Sequence, residues 1–277
     1  MNTEQAKQLS ESALDRLMTA LEQGQSAMLK QYLAVMSRFR RYSWGNVLLI
    51  YSQRPEATHV GGYHFWLTLG RHVRKGEKGI VILAPMVGRK RDADDEQMEE
   101  NEKTRVFGFK ACHVWDVTQT DGADLPEFAT VTGDPRDYLN RLVEFVGGQK
   151  IALEYDAGIA PAKGMSSGGK ITLLPDLPPA EHLAVLAHEV AHEMLHRGER
   201  RTQTTHTVRE TEAEAVAFVV ASAIGLDVNT ASSDYVQLHG GDKATLAESL
   251  AVIQQTAAAI LQAIEPVETA TAKPQLN

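Results

Sequence analysis

Apolar residues recur at helical spacing in several stretches, separated by Gly, Pro and charged clusters. Over residues 4–23, Leu9, Ala13, Leu14, Leu17, Met18 and Leu21 return every three or four positions among polar neighbours, which predicts an amphipathic helix. A second helix is expected from about Ser26 to Arg38. A third starts at Ser43, a good N-cap, carries Val47, Leu48 and Ile50, and ends before Pro55. "YHFWLTLG" reads as a short helix closed by Gly70. Two β-rich runs follow, "GIVILAP" at 79–85 and "VFGFKACHVWDV" at 106–117. Between them "GRKRDADDEQMEENEKT" has no apolar periodicity and a dense run of acids, so residues 88–104 are read as an exposed, mobile loop. Residues 118–135, rich in Gly, Pro, Asp and Thr, read as an interdomain linker.

The second half alternates differently. A helix is expected over 135–147, then the strand "KIALEY", a Gly/Ser-rich turn "AKGMSSGG" and the strand "KITLLP". A helix containing residues 183–195 follows, then helices near 206–224 and 242–264 and a disordered tail, 266–277. The pattern predicts an α+β chain of two domains, residues 1–125 and 126–265.

Composition narrows the class. A 43% hydrophobic and 23% charged chain of 277 residues is globular in type. No apolar run is read as approaching the ~20 residues of a membrane span, and no membrane partner is expected. The start, "MNTEQAKQLSESALDRLMTA", is polar and acidic where a signal peptide is basic and then apolar, so a cytoplasmic location is expected. A single cysteine, Cys112, excludes an intrachain disulfide and a cysteine-cluster zinc site.

The net charge of -8 hides an asymmetry. Residues 30–91 hold 12 Lys and Arg against two acids, a net +10, which leaves -18 for the remainder. The basic segment also carries aromatics. Cations meet phosphates without sequence preference, and aromatic faces stack on unpaired bases at ~1–3 kcal/mol per base. That mixture suits single-stranded DNA, with Arg40, Arg41, Trp44, Asn46, Tyr51, Arg71, Arg74, Lys75 and Lys78 as candidate contacts. Phe65 and Trp66, beside Leu67 and Leu69, are expected in the core. The competing reading is a basic surface that docks on an acidic partner or on the chain's own acidic half.

The chemistry concentrates in "LAVLAHEVAHEMLHRGER", residues 183–200. His188 and His192 are four apart, so a helix places them on one face, one turn apart, where both can bind one metal ion. Glu189, at the edge of that face, is placed to act as general base toward water at the metal. A third ligand is sought in "VRETEAEAVAFVVASAIG", residues 208–225. Glu210 and Glu214 share a face with Ala213, Ala217, Val220 and Ala221, and small residues there permit close packing on the histidine helix. Glu210 is therefore the expected third ligand, and Glu214 is expected to orient a histidine. Glu212 points about 160° away and is read as part of a solvated face. His196 is assigned a structural or supporting role, and His206 is a weaker alternative ligand. The strand "GKITLLP" could offer an edge to an extended peptide. One zinc ion is the expected cofactor, with another divalent metal as the alternative.

Two long blocks carry a family resemblance. "YSWGNVLLIYSQRPEATHVGGYHFWLTLGRHVRKGEKGIVILAP" resembles the N-terminal domain of ArdC-type antirestriction proteins. "HEVAHEMLH" followed by "RETEAEAVAFVV" resembles their C-terminal zincin-like metallopeptidase domain and the wider ImmA/IrrE-type group. That group takes its third ligand from an E-x-x-A element. Both Glu210 with Ala213 and Glu212 with Ala215 fit it. The resemblance implies a plasmid-borne protein that coats incoming single-stranded DNA and protects it from host restriction during conjugation. Two alternatives stay open: a DNA-coating module with a purely structural metal site, and a regulatory metalloprotease that cleaves a repressor or a restriction subunit.

Overall fold

Asn2 opens the first helix with a capping box, its side chain accepting from the Gln5 amide at 2.8 Å while the Gln5 side chain accepts from the Asn2 amide at 2.9 Å. The computed structural model describes residues 2–39, 41–89, 104–123, 135–226 and 242–265. The acidic loop from 90 to 103, most of the expected linker, and the expected tail lie outside these residues. The chain divides into two compact units, residues 1–128 and 129–277.

The first unit holds α1 (Thr3–Glu22), α2 (Ala27–Arg38), α3 (Trp44–Gln53), β1 (Val60–Gly61), α4 (Tyr63–Thr68), β2 (Arg71–Val73), β3 (Ile80–Arg89), β4 (Thr104–Asp116) and β5 (Thr120–Gly122). β3 and β4 form a long antiparallel hairpin, β1 flanks β4, and β2 pairs with β5. Leu17 and Leu21 of α1 and Val47 to Ile50 of α3 are buried in one core. β5 corrects the sequence reading of residues 118–135 as linker, because Thr120–Gly122 is paired strand. The short β1, β2 and β5 have too few residues to show a period of two.

α3 also covers an outer strand. Asn46 accepts from the Leu83 amide at 2.8 Å and donates to the Leu83 carbonyl at 2.9 Å. Gln53, two turns on, does the same to Val81, at 3.0 and 2.9 Å. Two side-chain amides thus stand in for a neighbouring strand along β3, where uncovered backbone groups invite association. Asp116 is buried at the far end of β4 and accepts from the amides of Thr58, His59 and Thr118 at 2.8–3.0 Å.

The second unit holds α5 (Pro135–Gly148), β6 (Ala152–Tyr155), β7 (Gly164–Ser166), β8 (Lys170–Leu173), α6 (Pro179–Leu195), α7 (Gly198–Gln203), α8 (His206–Ala223) and α9 (Lys243–Ile264). Its sheet has the order β6-β8-β7, with β6 parallel and β7 antiparallel to β8. This corrects the expected role of "GKITLLP": β8 is the middle strand, and β7, read from sequence as part of a turn, is an outer one. α6 packs on α8, with Leu183, Leu186, Ala187, Val190 and Ala191 buried. Burying each Leu or Val stabilises by roughly 1.5–3 kcal/mol. α9 is long and apolar enough to cross a membrane by composition, against the sequence reading that no run approached this length. Here its Leu246, Leu250, Ile253, Ala257 and Ile260 are buried, and it packs on α8, α5 and α6.

Candidate metal centre

α6 presents His188 and His192 one turn apart, and α8 packs against it with Glu210 and Glu214 one turn apart. The ring Nε2 atoms of the two histidines are 3.0 Å from each other. Glu210 Oε2 lies 3.6 Å from His188 Nε2, and its Oε1 lies 3.5 Å from His192 Nε2. Among the described residues these three form the group whose donor atoms all fall within 4.8 Å of one another. Two imidazole nitrogens and a carboxylate oxygen are a donor set that divalent metals take.

The opposite ring nitrogens are also engaged. His188 Nδ1 is 3.4 Å from Glu214 Oε2. His192 Nδ1 is 2.9 Å from His196 Nδ1, and His196 Nε2 is 3.0 Å from Glu212 Oε2. Here the sequence reading of Glu212 is overturned: its side chain is fully buried, and it accepts from Arg200 Nη2 and Ser249 Oγ, each at 2.7 Å. α8 is enclosed on two sides, by α6 and α9, so the face opposite Glu210 is core as well. The signal was present in the sequence, since Val208, Ala215, Val216 and Val219 surround Glu212 on the helix surface and are all apolar. Arg200, Ser249 and the buried position of His196 depend on segments far apart in the chain.

The electrostatics favour a cation. Burial works against a charged His188, yet the hydrogen bonds to Glu210 and Glu214 and the field of Glu189 outweigh it and lift its pKa to about 9. Glu210 is held far below the usual carboxylate range, chiefly by its hydrogen bonds to His188 and His192. The surroundings that hold a proton on His188 also suit a metal ion in its place.

Glu189 is buried at 7% exposure, and burial raises its pKa against the lowering pull of His188 and His192. It lines a cleft of about 400 Å³ with Gly164, Val185, His188, Glu210 and Ala217. β7 runs beside it so closely that a Cβ on Gly164 would lie 2.6 Å from Glu189 Oε1. Glycine is needed there to let the strand pass. Glu193, one helical turn beyond Glu189, ties this strand down. It accepts from Ser166 Oγ at 2.6 Å, from the amides of Gly168 and Gly169 at 2.8 and 2.7 Å, and from Arg197. Burial opposes its charge, but these donors win and hold its pKa at about 2. Sequence reasoning missed both Gly164 and Glu193; the two left-handed glycines, Gly168 and Gly169, were the available hint. His206 is exposed, with its Nε2 3.5 Å from Glu210 Oε1, on the solvent side of the cluster.

Residues 7–115 match the family model of the N-terminal domain of anti-restriction factor ArdC. Over 92% of this chain and 97% of theirs, the fold is that of two crystal structures of the antirestriction ArdC protein from plasmid R388. The metal-free form matches at 22% identity and a TM-score of 0.56, and the Mn(II)-bound form at 20% and 0.54. Residues 7–115 thus match an ArdC-type N-terminal domain, and the chain shares the fold of the ArdC structures. An uncharacterized protein of Bacillus anthracis is 23% identical over 308 aligned residues, 95% of this chain, and the chain spans about half of that relative's length, 52%.

The candidate DNA contacts of the N-terminal unit fall into two groups. Arg41, Lys75 and Lys78 are exposed, and Trp44 and Tyr51 are half-buried, with Tyr51 donating to Gln31 at 3.0 Å. Arg71 instead donates to Thr120 Oγ1 and to the Thr120 and Ala123 carbonyls, and Arg74 to Glu77 and the Thr118 carbonyl. Asn46 is engaged on β3, with both ends of its amide holding backbone partners. Arg40 lies outside the described residues. Trp66 is in the core as expected, donating to the Trp115 carbonyl at 2.9 Å, whereas Phe65 is 47% exposed. Tyr63, an aromatic of the basic segment, is exposed too, as are Phe107 and Phe109, which lie outside that segment.

Proposed function

We propose that this chain is an antirestriction protein that binds single-stranded DNA through its N-terminal unit and hydrolyses a peptide bond at a divalent metal held by its C-terminal unit, protecting incoming conjugative plasmid DNA from host restriction. The observation that carries the reading is the convergence of His188, His192 and Glu210 beside a buried glutamate at the wall of a cleft. The three side chains would hold the ion, zinc by the donor set, with manganese the competitor because an ArdC structure has been solved with Mn(II). Such an ion supplies a Lewis acid and makes water a nucleophile near neutral pH.

The chain's own groups then have separate tasks. Glu189 takes the proton from water, and its burial moves its carboxyl toward the neutral range in which a base returns that proton to a leaving amine. Glu214 and His196 hold the two histidines in orientation. β7, an outer strand beside Glu189, supports an extended peptide by backbone pairing. In the N-terminal unit, Arg41, Lys75 and Lys78 offer phosphate contacts, and the exposed Tyr63, Phe65, Phe107 and Phe109 offer faces to unpaired bases.

Glu189→Gln tests the hydrolytic half. The variant is expected to keep fold and metal content and to lose antirestriction in a conjugation assay into a restricting host. Full antirestriction by a metal-loaded Glu189→Gln protein leaves DNA coating as the mechanism and rejects the peptide hydrolase.

A further inference from the structure

Two imidazoles facing each other through the same nitrogen need one proton between them. His192 Nδ1 and His196 Nδ1 are 2.9 Å apart, so one ring donates and the other accepts. The far end of the chain decides which. Glu212 Oε1 is occupied by two groups that only donate there, Arg200 Nη2 and Ser249 Oγ. Its Oε2 faces His196 Nε2 at 3.0 Å, and an ionised carboxylate can only accept. His196 must therefore carry its proton on Nε2, which leaves Nδ1 as the acceptor. His192 must then donate from Nδ1, and the lone pair of its Nε2 faces His188 and Glu210.

We propose that Glu212 and His196 are positioning residues that fix the tautomer of His192, so that its Nε2 lone pair is always turned toward the divalent cation. The inference rests on the metal-centre reading above and adds a role for a buried relay from His192 through His196 to Glu212. The two histidines of α6 are held by different means: His188 by one carboxylate, Glu214, directly, and His192 through an imidazole whose orientation is set inside the core. The interior placement has a consequence. His196 and Glu212 have side chains with no solvent exposure, so water cannot replace a lost partner.

Glu212→Gln is a sharp probe because it adds and removes almost no volume. Arg200 and Ser249 keep the amide oxygen on their side, so the amide nitrogen faces His196 Nε2 and donates to it. His196 then carries its proton on Nδ1, His192 must accept at Nδ1, and the displaced proton sits on His192 Nε2, where the metal binds. In the 277-residue chain, Mn(II) affinity by calorimetric titration is expected to fall 10–100-fold, the range for lost partners of metal-bound histidines. Nitrogen-15 spectra of the metal-free proteins should place the His192 proton on Nδ1 in the wild type and on Nε2 in the variant, a change that a merely structural role of Glu212 does not produce. Wild-type affinity in a folded Glu212→Gln protein, or a His192 proton that stays on Nδ1, overturns the proposal. Where the variant does not fold, the wild-type spectrum decides: a proton on His192 Nε2 or on His196 Nδ1 overturns it. A wild type that binds no Mn(II), Zn(II) or other divalent ion defeats the metal-centre reading itself, and the relay falls with it.

Discussion

In each unit one set of polar side chains stands out, and the two sets bond in opposite ways. In the N-terminal unit they turn to the backbone: Asn46 and Gln53 grip β3, Asp116 gathers three amides, and Arg71 and Arg74 donate to carbonyls. In the C-terminal unit they turn to one another, in a line from Ser249 and Arg200 through Glu212, His196 and His192 to the Nε2 atoms that meet Glu210. A side chain bonded to backbone closes a structural account. The line of side chains ends at atoms that face the candidate site. The candidate site of the C-terminal unit is thus internal, whereas the candidate contacts of the N-terminal unit are exposed cations and aromatics.

The largest expected effect removes the end of the line. His188→Ala takes one of three ligands from the cluster, and the metal-to-protein ratio of the purified protein should fall from about one toward zero, because two ligands make a poor site. Elemental analysis of wild type and variant checks it. His188 is only part-buried, so the fold should survive. A variant that retains stoichiometric metal would mean that the ion is held elsewhere and that the comparison between the units is misdrawn.

How much of this was legible in the sequence depends on distance along the chain. The helix carrying His188 and His192, its apolar flanks and the choice of Glu210 over Glu212 followed from spacings of three, four and seven residues. Glu212 was misread because its partners come from α7 and α9, and because an enclosed helix has no solvated face for the usual pattern to mark. β7 was read as a turn because its glycine serves Glu189 and its neighbours serve Glu193, requirements set by a helix some 25 residues on. Asn46, a candidate DNA contact by sequence, has its amide on β3 in the structure. A signal for that role was Asn46 and Gln53, seven apart in a mostly apolar helix, both amides, on one face.

Asn46 supplies the next effect in size. Asn46→Leu leaves the Leu83 amide and carbonyl without their side-chain partner while filling similar space, and stability in urea should drop by about 1–3 kcal/mol. Gln53→Leu should act alike at Val81. If Asn46 is scaffold, the affinity of the folded variant for an unstructured single-stranded oligonucleotide stays within about twofold of wild type, where no binding energy is lost. A variant of unchanged stability and much weaker DNA binding would return Asn46 to the interface and break the rule that backbone-bonded polar groups are structural.

The smallest effect falls on groups that the fold does not use in its interior. Lys75 lies in the turn after β2 and Lys78 just beyond it, and both are exposed. Replacing both with Gln should leave the urea midpoint in place and weaken single-stranded DNA binding for every sequence alike. The reason is counterion release: each phosphate neutralised on a single strand contributes roughly 0.7 to the slope of log affinity against log salt. Loss of two contacts should flatten that slope by about 1.4 between 50 and 200 mM salt. The same substitutions separate a nucleic-acid face from a basic surface that docks on protein, since a protein partner releases fewer condensed ions. An unchanged slope places the phosphates on other cations and removes Lys75 and Lys78 from the interface.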